Sequence, residues 1–302
     1  MLKNLEHFVQ VLKIEKNHSS NTINSYLSDI KSFEKYLIKR KITFKKTINE
    51  SDVVKKYFRY LSRSKISSTS IKRKYSSLSS YFSYLLDRKI IKKNPLNGIY
   101  TPKLIKKLPT VLSVEEIEKI FKQSENSDNE LLGLRDRCII ELLYSCGLRV
   151  SELCSLKINN LQFDSNVIRF FGKGNKERII PLTFYAKEWL EKYLYQSRQI
   201  LSNRKSSEQK FVFLSNNGKR LTRAAIWQSI KKYVKAAGIV KTVSPHTFRH
   251  SFATHLVDGG ANLIEIQKLL GHSDISTTEI YVHLSKEYID SEYMKAFDKK
   301  KN

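Results

Sequence analysis

The chain has 302 residues, 40% of them hydrophobic, enough apolar material for two ordinary cores, which excludes a disordered chain. Its 55 Lys and Arg against 29 Asp and Glu give a net charge of +26, a field that concentrates polyanions and repels cations. No run of 18 apolar residues occurs and the opening MLKNLEHFVQVLKIEK is an interrupted amphipathic pattern, so we expect a soluble, cytoplasmic protein whose anionic partner is nucleic acid and not a membrane.

Residues 1 to about 100 read as four or five helices, with apolar residues three and four apart, as in Tyr26, Ile30, Phe33, Tyr36 and Leu37. Ser19, Ser20 and Asn21 supply caps before the second helix, and NPLNG at 94–98 is expected to stop the last one. Residues 1–110 hold 25 Lys and Arg against 7 Asp and Glu, a net of +18. Residues 1–100 therefore read as a helical, basic DNA-binding domain. In SSTSIKRKYSSLSSYFSYL, 67–85, hydroxyls alternate with cations, a mixture suited to phosphate contacts. The segment TPKLIKKLPT, with two prolines and three lysines, resists helix and sets a linker at 101–111.

A second domain is expected over 112–302. Ser113 and Glu116 form an S-x-x-E capping box, and an apolar helix from about Glu130 to Ser145 ends at Gly147. NVIRFFGKGNKERIIPL at 166–182 has two β-branched, apolar runs around a Gly-rich turn, the signature of a hairpin. KFVFL at 210–214 could add a short strand, and helices are expected at about 183–200, 222–237, 247–258 and 262–270. The fold class is mainly α with a small β-sheet. Cys138, Cys146 and Cys154 fit neither a zinc site nor a disulfide by their spacing and read as buried free thiols.

Four stretches carry chemistry. In PHTFRHSF, His246 and Arg249 are three apart on one helical face near an N-terminus that favours an anion. His246 and His250 have the spacing of a metal pair, but no acidic residue stands between them as in H-E-x-x-H. In GLRVSEL, Arg149 follows a glycine helix stop and Glu152 lies three residues on. Only 15 of the 55 basic residues are arginine, and two-pronged phosphate binding requires a guanidinium fork. GKGNKER at 172–178 carries Lys173 at a turn and lacks the spacing of a nucleotide-binding P-loop. LLGHSDISTTEIYVHLS places His272 after another glycine stop and Tyr281 nine residues later. On the residues alone, the first reading of Lys173 is a solvated lysine, of Arg149 and Arg249 ion-pair partners, and of Tyr281 a core aromatic.

Taken together and in this order, GLRVSEL, GKGNKE, HTFRHSFATHL and LLGHSDISTTEIYVH behind a helical basic module resemble the tyrosine recombinases of the Xer group, within the phage integrase family, over essentially the whole chain. The resemblance implies a two-domain clamp around duplex DNA, with catalytic residues Arg149, Lys173, His246, Arg249 and His272 and the nucleophile Tyr281. All six positions match the family pattern, and Glu152 matches a supporting position that orients the arginine. It also implies a 3′-phosphotyrosine intermediate, a homo- or hetero-tetramer on two DNA sites, exchange through a Holliday junction, and resolution of chromosome dimers at cell division. Further implied partners are a paralogous recombinase and a DNA translocase at the division septum; no cofactor and no metal are implied. A phage or transposon integrase shares this fold and chemistry, and a type IB topoisomerase uses a similar residue set. A silent DNA-binding regulator would keep the basic module without needing Tyr281. Residues 286–302, KEYIDSEYMKAFDKKKN, read as a short helix that, by resemblance, docks on a neighbouring protomer.

Overall fold

The computed structural model describes residues 4–64, 66–99, 110–171, 177–203 and 208–270. The chain divides into two compact units, residues 1–107 and 108–302. Among the described residues no helix is long and apolar enough to cross a membrane.

Among the described residues the first unit is a cluster of five helices: α1 (Leu5–Ile14), α2 (Ser20–Lys39), α3 (Phe44–Asn49), α4 (Ser51–Arg63) and α5 (Ser68–Asp87). Hydroxyl caps start three of them. Ser19 Oγ accepts from the Thr22 amide at 3.2 Å, Thr43 Oγ1 from Lys46 at 3.3 Å and Ser67 Oγ from Ser70 at 3.3 Å, each satisfying an amide the helix cannot. The apolar faces meet in a core of Phe8 and Leu12 of α1, Phe33 of α2, Tyr57 of α4, and Leu78 and Phe82 of α5.

Two sequence expectations change here. The last helix ends before NPLNG: Lys89 takes φ +56°, the Lys89 amide donates to Leu86 O at 2.9 Å and the Ile90 amide to Leu85 O at 2.9 Å. This is a Schellman closure built on a lysine, which carries a steric cost of about 1–2 kcal/mol that glycine would avoid. The hydroxyl-and-cation mixture of α5 is also divided. Tyr81 and Tyr84 are core residues, and Arg73, Lys74 and Ser77 converge on the buried Asp29 of α2 at 2.6, 3.2 and 2.9 Å. A buried carboxylate is tolerated because three donors replace its water.

In the second unit α6 (Val114–Glu125) opens with the expected capping box: the Ser113 amide donates to Glu116 Oε2 at 2.8 Å and the Glu116 amide to Ser113 Oγ at 3.3 Å. The next helix, α7 (Glu130–Ser145), is buried along almost its whole length, with α6 and three later helices, α9 (Phe184–Lys192), α11 (Arg223–Ala236) and α12 (Pro245–Asp258), packed around it. Its buried charges are paired. Arg137 reaches Glu141 at 2.5 Å and Glu125 at 2.8 Å, while its guanidinium lies 3.5 Å from the centre of the Phe121 ring and 4.3 Å from that of Trp189. All three cysteines are buried and free, and burial pushes the thiols of Cys138 and Cys154 up.

The chain leaves α7 through Gly147, at φ +58°, and enters α8 (Val150–Ser155). A Cβ at Gly147 would stand 2.7 Å from Cδ2 of Leu270 and 3.2 Å from Cδ1 of Phe252. Gly147→Ala should therefore lower stability by about 2–4 kcal/mol, adding left-handed strain to overpacking. Chemical denaturation checks this, and a loss below about 0.5 kcal/mol, the scatter of an ordinary surface substitution, would show that neither strain nor overpacking operates there.

The sheet is antiparallel, in the order β1 (Leu161–Gln162), β2 (Val167–Phe171), β3 (Glu177–Pro181), with Ile168 opposite Ile180 and both fully buried. The segment KFVFL is not its third strand. Phe211 to Leu214 are buried, but their backbone makes only isolated bridges, Lys157 with Phe211 and Leu214 with Arg220. The Val212 amide donates to Leu156 O at 2.8 Å and the Leu221 amide to Phe213 O at 3.1 Å, while Val212 O accepts from the Tyr193 hydroxyl at 3.1 Å and Leu214 O from Arg135 Nη1 at 3.0 Å. From α9 the chain continues through a π-helical turn, residues 193–198, into α10 (Gln199–Ser202); α11, α12 and α13 (Leu263–Leu270) follow.

Candidate active site

The site is built at the corner between α7 and α8. Arg149 is the N-cap residue of α8, with extended backbone at φ −75° and ψ 143°. Glu152, three residues on, turns back on it: Oε2 accepts from the Arg149 amide at 2.8 Å and Oε1 from Arg149 Nη1 at 2.8 Å. One carboxylate thus holds both the main chain and the side chain of Arg149. The Arg149 side chain stays 36% exposed, so the pair is held without being sealed from solvent.

Arg249 enters the same corner from α12, a helix that starts with Pro245 at its first position, where no amide is needed. Its guanidinium is buried and donates from Nη1 to the carbonyl of Gly147 and from Nη2 to that of Leu270, tying together the ends of α7 and α13. His246 lies one turn earlier on α12 and is exposed, beside the helix N-terminus. Arg149, Glu152 and Arg249 are thus brought together, with His246 a turn away. Lys173, His272 and Tyr281, like the tail at 286–302, lie outside the described residues.

Two further histidines of α12, His250 and His255, are partly buried. His255 Nδ1 and the Tyr144 hydroxyl are 2.9 Å apart with the rings edge to face, and burial holds the His255 imidazole below its ordinary range. His250 is half-buried, its carbonyl accepting from Thr254 Oγ1 at 3.0 Å.

One residue was missed. Arg178, on β3, donates from Nη1 to Glu152 Oε1 and from Nη2 to Leu270 O at 2.9 Å and Leu269 O at 3.4 Å. A signal was present: Arg178 is two residues before the buried Ile180, so strand alternation places it on the core-facing side of the hairpin, where an arginine needs a partner. Two guanidiniums, from Arg149 and Arg178, share the single carboxylate of Glu152, and a third, from Arg249, is held on the carbonyls of Gly147 and Leu270, leaving a positive excess suited to an anion. In the first unit, Asn24, Ser28, Lys31, Lys35 and Lys39 of α2 line a groove closed on its other side by Tyr57 and Tyr60 of α4.

Comparison with known proteins places this architecture. Residues 110–288 match the phage integrase family, and residues 5–89 match the N-terminal SAM-like domain of phage integrases. The chain belongs to the phage integrase family. It is 41% identical over 283 residues to the tyrosine recombinase XerD of Listeria monocytogenes serotype 4b (strain F2365), covering 93% of this chain and 94% of that one. It is also 41% identical over 289 residues to the tyrosine recombinase XerD of Staphylococcus haemolyticus (strain JCSC1435), covering 96% of each. Among solved structures, the XerH site-specific recombinase bound to its difH substrate before cleavage is similar with a TM-score of 0.66, 25% identity, and coverage of 97% of this chain and 85% of that one. A lambda integrase dimer bound to a core site shares the fold at a TM-score of 0.65 and 21% identity, covering 91% of this chain and 97% of that one.

Proposed function

We propose that the chain is a site-specific recombinase that cleaves and rejoins duplex DNA through a 3′-phosphotyrosine, acting as a tetramer on two sites and exchanging strands through a Holliday junction. The observation that carries this reading is the guanidinium corner: two arginines from separate helices, Arg149 and Arg249, each held in place by acceptors on neighbouring segments. Attack on a phosphodiester builds charge on the nonbridging oxygens, and donors fixed beforehand stabilise that charge without reorganising.

In this reading Tyr281 is the nucleophile. A tyrosine hydroxyl titrates near about 10, so at neutral pH it needs a base or a strongly positive site to give up its proton. His246, at the exposed first turn of α12, is the acceptor, and His272 adds a further donor to the phosphate. Lys173 protonates the departing 5′ oxygen, which an arginine could not do because its pKa is too high. The phosphotyrosine keeps the energy of the broken bond as an ester, so a 5′ hydroxyl from another strand reverses the step without ATP. The basic first unit, net +18, supplies affinity through phosphate contacts, with the lysine-lined groove along α2 part of that surface.

The near full-length similarity to XerD recombinases favours chromosome-dimer resolution over integration of a mobile element. In that setting a paralogous recombinase fills the other half of the tetramer, a DNA translocase at the septum triggers the reaction, and the work is done in the cytoplasm. The test is incubation with nicked candidate sites taken from beside the chromosome terminus. A covalent protein–DNA band supports the reading; its absence on every site overturns it.

A further inference from the structure

We infer that Arg178 is a positioning residue of the cleavage reaction, joining the Arg149–Glu152 pair to the β-hairpin and to the end of α13; this rests on the functional reading above, in which Arg149 holds the scissile phosphate. Glu152 Oε1 is shared. It accepts from Arg149 Nη1 at 2.8 Å and from Arg178 Nη1, while Oε2 holds the Arg149 amide. The other arm of Arg178 reaches the last carbonyls of α13, Leu269 O and Leu270 O, and Leu270 O also accepts from Arg249. Two guanidiniums thus meet on one carbonyl and two on one carboxylate, which makes a closed circuit through Arg149, Glu152, Arg178, Leu270 and Arg249.

The circuit has a physical consequence for Arg149. A carboxylate held by one arginine can rotate with it, whereas one held from two directions fixes the plane in which the second arginine lies. The side chain at 178 must span from a carboxylate to a pair of main-chain carbonyls, and a planar fork with separated nitrogens does this. A lysine is a single point donor and satisfies one end or the other. The Arg178 side chain is only 16% exposed, so these contacts are not competing with bulk water.

The experiment uses the full chain and nicked sites at saturating concentration, with single-turnover formation of the covalent adduct, DNA affinity and thermal unfolding measured for each variant. Arg178→Ala should slow adduct formation about tenfold to a hundredfold, the size of effect expected from a small misplacement, with Kd unchanged within about twofold. Arg178→Lys should fall between. In a cycle with Glu152→Gln, the double variant should be no slower than the slower single, because both break one circuit. A site whose scissile phosphate carries a methylphosphonate has one nonbridging oxygen replaced by methyl, so it needs less guanidinium charge. On it, the defects of Arg178→Ala and Arg149→Ala should shrink together.

Wild-type rates for Arg178→Ala, a loss in Kd without a loss in rate, or multiplying defects in the cycle would each overturn the inference. So would recovery of Arg149→Ala alone on the methylphosphonate, which would leave Arg178 with a structural role only. If Arg178→Ala does not fold, Arg178→Lys and Glu152→Gln carry the same comparisons. A wild-type chain that makes no adduct on any site is a different failure, since it overturns the functional reading itself.

Discussion

Tyr281→Phe should form no covalent adduct with a nicked site while binding that site as tightly as the unaltered chain. The substitution removes one oxygen, the atom that becomes the ester bridge in the proposed mechanism, and alters nothing else of the side chain. No neighbouring donor can replace it, because the loss is of the nucleophile and not of a stabilising contact. Gel separation under denaturing conditions reads the adduct, and a native shift reads binding. An adduct from this variant would move the nucleophile elsewhere, and Tyr288 would be tested next. Loss of binding together with cleavage would instead mean that the hydroxyl serves the fold.

The second large effect is conditional on the leaving group. Lys173→Ala should slow cleavage of an ordinary site by about 10²–10⁴-fold, the usual contribution of a positioned general acid. Replacing the scissile 5′ bridging oxygen with sulfur gives a leaving group of much lower pKa, whose expulsion needs no proton, so Lys173→Ala should recover most of its rate there. Arg149→Ala and Arg249→Ala should stay impaired on both sites, since the charge on the nonbridging oxygens is the same in each. Equal recovery of all three would show that the assay reports leaving-group strength alone. No recovery of Lys173→Ala would transfer the acid role, with His272 and Lys176 the first residues to examine.

Helices were legible where local chemistry decides them. The Ser113–Glu116 box and the Ser19 cap are contacts between residues three apart, so sequence contains both partners. The stop of α5 was not legible, because it rests on Lys89 adopting a left-handed conformation that lysine does not advertise, and the glycine and prolines downstream drew attention instead. KFVFL looked like a strand because apolar, aromatic and β-branched residues run together in it, yet what pairs with such a segment is a tertiary fact; here isolated bridges, single carbonyls and side-chain donors do so, and the two-residue Leu161–Gln162 takes the place in the sheet. At the site, the sequence places Glu152 three residues after Arg149, and the family resemblance gave it a supporting role. Arg178 could not be matched to the same carboxylate, because a separation of 26 in sequence is bridged only when the hairpin folds onto α8.

Asp29 alters what the charge of the first unit means in solution. Arg73 and Lys74 share one carboxylate inside the protein, so half of their joint charge is already neutralised before any phosphate is met. The salt dependence of binding reflects dissolved ions set free from the duplex as phosphates are neutralised, roughly 0.9 per contact. Cations that neutralise Asp29 have less to offer a phosphate and displace fewer of those ions. A plot of log Kd against log salt should therefore be shallower than the number of basic residues on α2 and α5 suggests, and Asp29→Asn, in a chain that still folds, should steepen it.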